Sequence, residues 1–352
     1  MRFEFRSIHT TQRWKAVTVS AALLAAPMHA AFADTPPVSI GAGIRTSFTS
    51  TNPDGPGDDI NDFTLNSARI YISGTVTDNI KVMFNTEYNT TSTGDHKVDV
   101  IDAAAMFSFS DQVNIWAGRF LAPSDRANLY GPYYASNWGT FQDGVQDGYP
   151  SKTTGRDDGV MYWGQFGILK LSAGAFDIPS TENSKDVLYA TRAQLDFWDP
   201  EGGYYLNGTY YGDKDLLAVG AAYQTAGSGN AYSGDFLLEK KLGNAGVVTF
   251  EAEYAKYDGL GGYQGPSSDG YYGLAAYLFP QPVGIGKFQI LGKYGEATYN
   301  LAGGDVKQKT GEFDLNYIIK QFNARVTAFY INQDITNNTG GKQFGLGLQV
   351  QL

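Results

Sequence analysis

The last eleven residues, "KQFGLGLQVQL" (Lys342 to Leu352), alternate Phe344, Leu346, Leu348, Val350 and Leu352 with Gly345, Gly347, Gln349 and Gln351. A period of two sends successive side chains to opposite faces of an extended strand, so this stretch has one greasy face and one wet face. Alternation alone describes any half-buried strand, and in a soluble sandwich the greasy face would be core.

Repetition decides between the two. Val82/Phe84/Tyr88, Ile101/Ala103/Ala105/Phe107, Val187/Tyr189/Ala193/Leu195/Phe197 and Phe322/Ala324/Val326/Ala328/Tyr330 follow the same pattern over about ten residues, the length a tilted strand needs to cross a bilayer. The aromatics, including 24 Tyr and 21 Phe, recur at strand ends, as at Tyr88, Phe109, Tyr223, Tyr257, Phe279 and Tyr330. Interfacial girdles place aromatics there, whereas an ordinary core uses more Leu and Ile. The pattern predicts an all-β, transmembrane antiparallel β-barrel with strands at 40–48, 63–74, 79–89, 97–109, 112–120, 157–166, 168–177, 186–198, 215–225, 231–242, 247–257, 270–279, 286–296, 307–319, 321–332 and 342–352, sixteen in all.

A further candidate, "GGYYLNGTYYGD" (residues 202–213), is equally strand-like. An odd count would separate the chain ends, and single-chain outer-membrane barrels have an even count with both ends periplasmic, so it is expected as an elaborated turn. On a count of sixteen, the tight turns at 75–78, 110–111, 167, 242–246 and 320 share one side. The polar connections 49–62, 258–269, 297–306 and 332–341 share the other.

Export is expected from the first residues. Arg2, Arg6, Arg13 and Lys15 precede an apolar run from Ala16 to Ala26, and Ala31-Phe32-Ala33 has the small-x-small form of a cleavage site, so residues 1–33 read as a signal peptide and 34–352 as the barrel. Removing them leaves 22 bases against 35 acids, a net charge of −13, which argues against nucleic acid as a partner. There is no Cys, which excludes disulfides, thiolate metal sites and cysteine nucleophiles; no metal or other cofactor is expected. His96 is the one histidine of the expected mature chain, so Ser-His or Asp-His hydrolysis would have to be built on it.

Between the fifth and sixth strands the alternation stops from Gly118 to Gly159. Pro123, Pro132 and Pro150 with Tyr130, Tyr133, Tyr134, Trp138, Phe141 and Tyr149 predict a packed, rigid insertion, and residues 121–156 are expected to fold inward as a constriction loop. Arg119, Arg126, Lys152 and Arg156 are the candidate basic constriction residues, and Asp143 and Asp147 the acidic ones. On the wet faces, Arg45, Arg69, Lys81, Arg192, Lys287, Lys293 and Arg325 are candidate basic pore-wall residues, and Asp235, Glu239, Glu251 and Glu253 acidic ones. In a ring of sixteen the tenth strand lies opposite the second, so a transverse field across the lumen is expected, with mutual neutralisation as the alternative.

The order of "GRFLAPSDRANLYGPYYASNW", "FWDPEGGYYLNGTYYGDKDLLAVGAAYQ", "DFLLEKKLG" and "AAYLFPQPVGIGKFQILGKYGEA" resembles the bacterial outer-membrane porins of the phosphate-selective porin O and P family. The resemblance implies a sixteen-stranded homotrimeric channel in the bacterial outer membrane, in contact with lipid bilayer and lipopolysaccharide, with its third loop turned inward. Members of that family select phosphate with a ladder of arginines, and no arginine-rich stretch of this chain matches one. The function expected is therefore a weakly selective, water-filled channel for passive diffusion of ions and small hydrophilic solutes. A phosphate- or anion-selective porin is the alternative, with a non-conducting barrel or an outer-membrane hydrolase behind it.

Overall fold

The computed structural model describes residues 37–90, 96–139, 156–177, 186–260, 267–301, 303–336 and 340–352; the expected signal segment 1–33 lies outside them. The first half of the barrel comprises β1 (Val38–Pro53), β2 (Ile60–Thr77), β3 (Ile80–Thr90), β4 (His96–Ser110), β5 (Val113–Leu121), β6 (Arg156–Phe166), β7 (Leu169–Phe176) and β8 (Leu188–Asp196). The second comprises β9 (Leu216–Ala226), β10 (Gly229–Lys241), β11 (Val247–Asp258), β12 (Ser267–Val283), β13 (Gly286–Leu301), β14 (Gly304–Lys320), β15 (Ala324–Ile335) and β16 (Gly341–Gln351). Every strand pairs antiparallel with its chain neighbours, and β16 returns to β1 from Gln351 opposite Gly43 to Gly341 opposite Pro53. Closure leaves no unpaired edge, the condition for a sheet to cross hydrocarbon.

Exposure rules out the sandwich. On β16 the apolar set faces out, with Leu346 56% exposed, while Gln349 on the other parity is 0% exposed. The same inversion holds around the ring, and exposed aromatics form two bands. Tyr189, Tyr223, Tyr232, Tyr254, Tyr271 and Tyr294 lie toward one rim; Phe109, Phe166, Phe197, Trp198 and Phe279 lie toward the rim that carries Val38 and Leu352. An apolar outer belt flanked by aromatic girdles is the signature of a bilayer-spanning barrel, whose terminal rim faces the periplasm.

Several connections expected to be long are continuations of hairpins. β1 and β2 stay paired to Thr51 opposite Ile60, and β13 and β14 to Leu301 opposite Gly304, so the ladders take in part of the expected loop 49–62 and most of 297–306. A polar hairpin satisfies its backbone by its own ladder beyond the apolar belt, which is where apolar alternation ceases to report it. Residues 202–213 form no strand, in keeping with the even count. The insertion after β5 holds an unforeseen helix, α1 (Arg126–Tyr134), capped by Asp125, whose side chain accepts the Asn128 N–H, and kinked at Gly131 (φ 61°) before Pro132.

Candidate functional site

Two segments enter the lumen from opposite rims. The first, residues 122–139, leaves β5 at the rim away from the chain ends and crosses the barrel. Its start is held by Arg192 Nη1 on the Ser124 carbonyl (3.1 Å) and Gln224 Nε2 on the Pro123 carbonyl (2.9 Å). Its helix meets β11, where Glu253 accepts the Ala127 N–H (3.3 Å) and Glu251 accepts the Tyr130 hydroxyl (2.9 Å). Its far end lies on the opposite wall, with Asp314 accepting the Trp138 N–H (2.8 Å) and Arg325 Nη1 donating to the carbonyls of Ala135 (2.8 Å) and Ser136 (3.0 Å).

The wet-face glycines of the closing strands make room for this segment. A Cβ on Gly347 would sit 2.5 Å from the Trp138 indole, and one on Gly43 would sit 2.8 Å from the Tyr133 ring. Trp138 stacks on Phe329 (5.6 Å, 12°) beneath the Arg45 guanidinium (4.3 Å), which also donates to the Trp138 carbonyl (2.9 Å). Gln349 donates to the Tyr133 carbonyl (2.9 Å).

The second segment, residues 197–215, joins β8 to β9 at the terminal rim and rises to meet the first. Gly208 N–H donates to the Tyr134 carbonyl (2.9 Å), and the Tyr204 hydroxyl to the Leu121 carbonyl (2.8 Å). Glu239 on β10 anchors it by accepting the Thr209 hydroxyl (2.6 Å) and the N–H groups of Tyr210 (2.9 Å) and Gly212 (2.8 Å). At the junction Arg126 and Glu201, both 0% exposed, form a two-pronged ion pair; Glu201 also accepts the Tyr210 hydroxyl (2.9 Å) and Gln194 Nε2 (2.8 Å). Burial alone would raise the Glu201 carboxyl, but the Arg126 guanidinium holds it below the ordinary carboxylate range. Burial, with Asp235 nearby, pushes Asp125 up to about 6.

The candidate charges differ in what they hold. Arg126 lies at the heart of the inserted pair, and Arg192 grips Asp235 with two hydrogen bonds (2.5 and 2.8 Å). Arg45 and Arg325 fasten inserted carbonyls, Glu239 and Glu253 inserted N–H groups and Glu251 the Tyr130 hydroxyl, so much of the expected opposition of walls is spent on the inserts. Arg69 pairs with Glu87, Lys293 lies 4.2 Å over the Tyr272 ring, and the exposed Lys81 and Lys287 stand near the terminal rim. Arg119 is a correction: it shares the outward parity of Val113 and Ile115, and pairs with Asp158 (2.7 Å) away from the lumen, which Trp116 and Phe120 face instead. Asp143, Asp147 and Lys152 lie outside the described residues.

What the segments leave open is a cavity of about 440 Å³ against β2, β3 and β4, lined by Arg69, Tyr71, Asn85, Asp102, Arg156 and, from the second segment, Tyr205. Arg156 Nε pairs with Asp102 (2.9 Å), which also accepts Asn85 Nδ2 (2.8 Å). A second cavity of about 450 Å³ lies between Asn114, Trp163 and Gln165 of the wall and Pro200, Gly202 and Gly203 of the second segment. The Tyr205 contribution carries no chemical motif in the sequence; only the aromatic density of 202–213 marked the stretch as unlike a plain turn. His96, the one candidate for hydrolysis, begins β4, stacks on Tyr88 (5.3 Å) and shares a hydrogen bond with its hydroxyl (2.6 Å) at the loop rim.

No family model matches the chain, and neither does any curated protein. Solved structures do. OmpF of Salmonella typhi in complex with daunomycin is 14% identical over 90% of this chain and 97% of its own, with a TM-score of 0.61. The loop L8 deletion mutant of OmpT, an outer membrane protein of Vibrio cholerae, is 16% identical over 91% of this chain and 100% of its own, with a TM-score of 0.56. The anion-selective porin of Comamonas acidovorans is 14% identical over 90% of this chain and 100% of its own, with a TM-score of 0.55. The likeness is one of fold: a closed sixteen-stranded barrel of the porin type, which spans the bacterial outer membrane with every strand. It does not single out the phosphate-selective porin O and P family.

Proposed function

We propose that the protein is a passive outer-membrane channel for small hydrophilic solutes and ions, with its passage confined to the β2–β4 side of the lumen. The observation that carries this reading is the 440 Å³ cavity left between the inserted segments and that wall. Its fixed charges are paired, Arg69 with Glu87 and Arg156 with Asp102, so neither sign dominates and ion selectivity is weak. The same pairing weighs against phosphate selectivity, which needs guanidinium groups free to take an anion bidentately. One of the similar structures is a trimer form of OmpT from Vibrio cholerae, folded in vitro, and a homotrimer bathed in lipid and lipopolysaccharide is proposed for this chain as well.

The test is a planar-bilayer recording on purified protein under a KCl gradient. Small steps with a zero-current potential close to zero support the reading. A strong anion preference with block by phosphate would move it to the anion-selective alternative, and complete absence of steps from folded protein would make it a plugged structural barrel.

A further inference from the structure

The cavity against β2–β4 is amphipathic in a way that a mere gap between a plug and a wall need not be. Its inserted side is apolar and aromatic, with Leu129 and Tyr134 from the first segment and Tyr205 and Leu206 from the second. Tyr134 is 37% exposed in the interior of the barrel, so part of its ring is open to whatever fills the space. The strand side is polar and compact. Asp102 gathers Arg156 Nε (2.9 Å) and Asn85 Nδ2 (2.8 Å), the Tyr205 hydroxyl lies 3.4 Å from the same carboxylate, and the Tyr71 hydroxyl, beside Arg69, completes the polar side.

A ligand for such a slot needs one flat apolar face and a rim of neutral hydroxyls. The charges at the cavity are paired, Arg69 with Glu87 behind it and Arg156 with Asp102, so neither an anion nor a cation has a net field to follow. A hydroxylated ring meets both walls: its C–H face covers the tyrosines and its hydroxyls meet the polar side formed by Asp102, Asn85 and Tyr71. The volume, about 440 Å³, lies in the range of small-molecule sites, which are mostly apolar with a few convergent polar groups. The geometry points to a binding site for a neutral pyranose sugar in the passage, built jointly by the β2–β4 wall and the segment 197–215. The inference rests on the channel reading for its route of entry and names the solute class that the channel favours.

The probe is maltose added to one side of a conducting bilayer, with sorbitol at the same concentration as the acyclic control. Maltose lowers the current saturably, whereas sorbitol acts only through bulk conductivity. Tyr205→Ala, on the inserted segment, and Asp102→Asn, on the wall, each raise the half-blocking concentration about tenfold. Equal effects of maltose and sorbitol in a conducting protein overturn the inference and leave the channel reading standing, as does a block that both variants leave unchanged. If the folded protein conducts nothing, the channel reading falls, and calorimetric titration of the detergent-solubilised protein with maltose decides the site. Heat that Tyr205→Ala abolishes supports it; no heat refutes it.

Discussion

Replacing Arg126 with Met tests whether the two inserted segments hold each other. The guanidinium donates twice to Glu201 and once to the Asn207 carbonyl (3.0 Å), and its Nε stands 3.7 Å from Asp235, all without exposure to solvent. Methionine keeps most of the volume and leaves Glu201 with Tyr210 and Gln194 but without its cation. Removing one partner of a buried pair costs about 3–5 kcal/mol, because the other charge stays behind in a poor solvent. The cost falls on the docked state of residues 197–215 and not on the barrel ladder, so it is a local opening free energy.

Amide exchange at Gly208, whose N–H is bonded to the Tyr134 carbonyl, reports that opening directly. At about 1.36 kcal/mol per factor of ten, its protection falls by roughly two to four orders of magnitude, and single-channel conductance rises as the segment leaves the lumen. Arg126→Met with Glu201→Met together costs less than the sum of the two alone, since no charge is then stranded. A Gly208 amide whose exchange changes less than about tenfold in Arg126→Met would refute the assignment of this pair as the clasp.

Three further outcomes follow from the same geometry. Asp125 is raised to about 6 when folded, above its ordinary value of 3.8, so its stabilising effect is full below the ordinary value and lost as pH rises through about 6; Asn128 amide protection therefore grows as pH falls from 7 to 4, and a flat profile would contradict it. Gly347→Leu drives the Trp138 indole off β16, where no space exists even for a Cβ, and exposes Trp138 to water; comparison with the same change in a Trp138→Phe background shows whether the red shift in emission belongs to that ring. Leu346→Arg puts a charge on the lipid face and costs about 2–4 kcal/mol in urea titrations of folding into vesicles, whereas a cost under about 1 kcal/mol would mean the face is not in hydrocarbon.

Strands were legible in the sequence because each is read twice, once by lipid and once by the lumen, and both demands fall on a period of two. β16 shows why the reading is secure there: Leu346 and Leu348 are exposed to lipid while Gln349 is spent on the Tyr133 and Phe322 carbonyls. The period fails beyond the apolar belt, which is why the ladder from Ala297 to Leu301 looks like loop in sequence although it is paired throughout with β14. Arg119 failed for a different reason. Its place next to the long insertion suggested the lumen, but parity along β5 sends it outward.

The charges were legible as a set and illegible in role, because an acid that faces a pore and an acid that fastens a loop occupy the same wet parity. Glu239 and Asp102 are both buried, inward-facing carboxylates; one takes backbone N–H groups of the second segment, the other stands over the open cavity. What separates them is the position of residues 197–215, and nothing local to either strand encodes it. A second lumen segment entering from the terminal rim divides the barrel wall: β10, β11, β14, β15 and β1 hold the inserts, and β2, β3 and β4 line the cavity beside them. On the channel reading proposed above, the junction of Arg126 with Glu201 is where the two segments meet, and the second of them carries Tyr205 into the lining of the cavity.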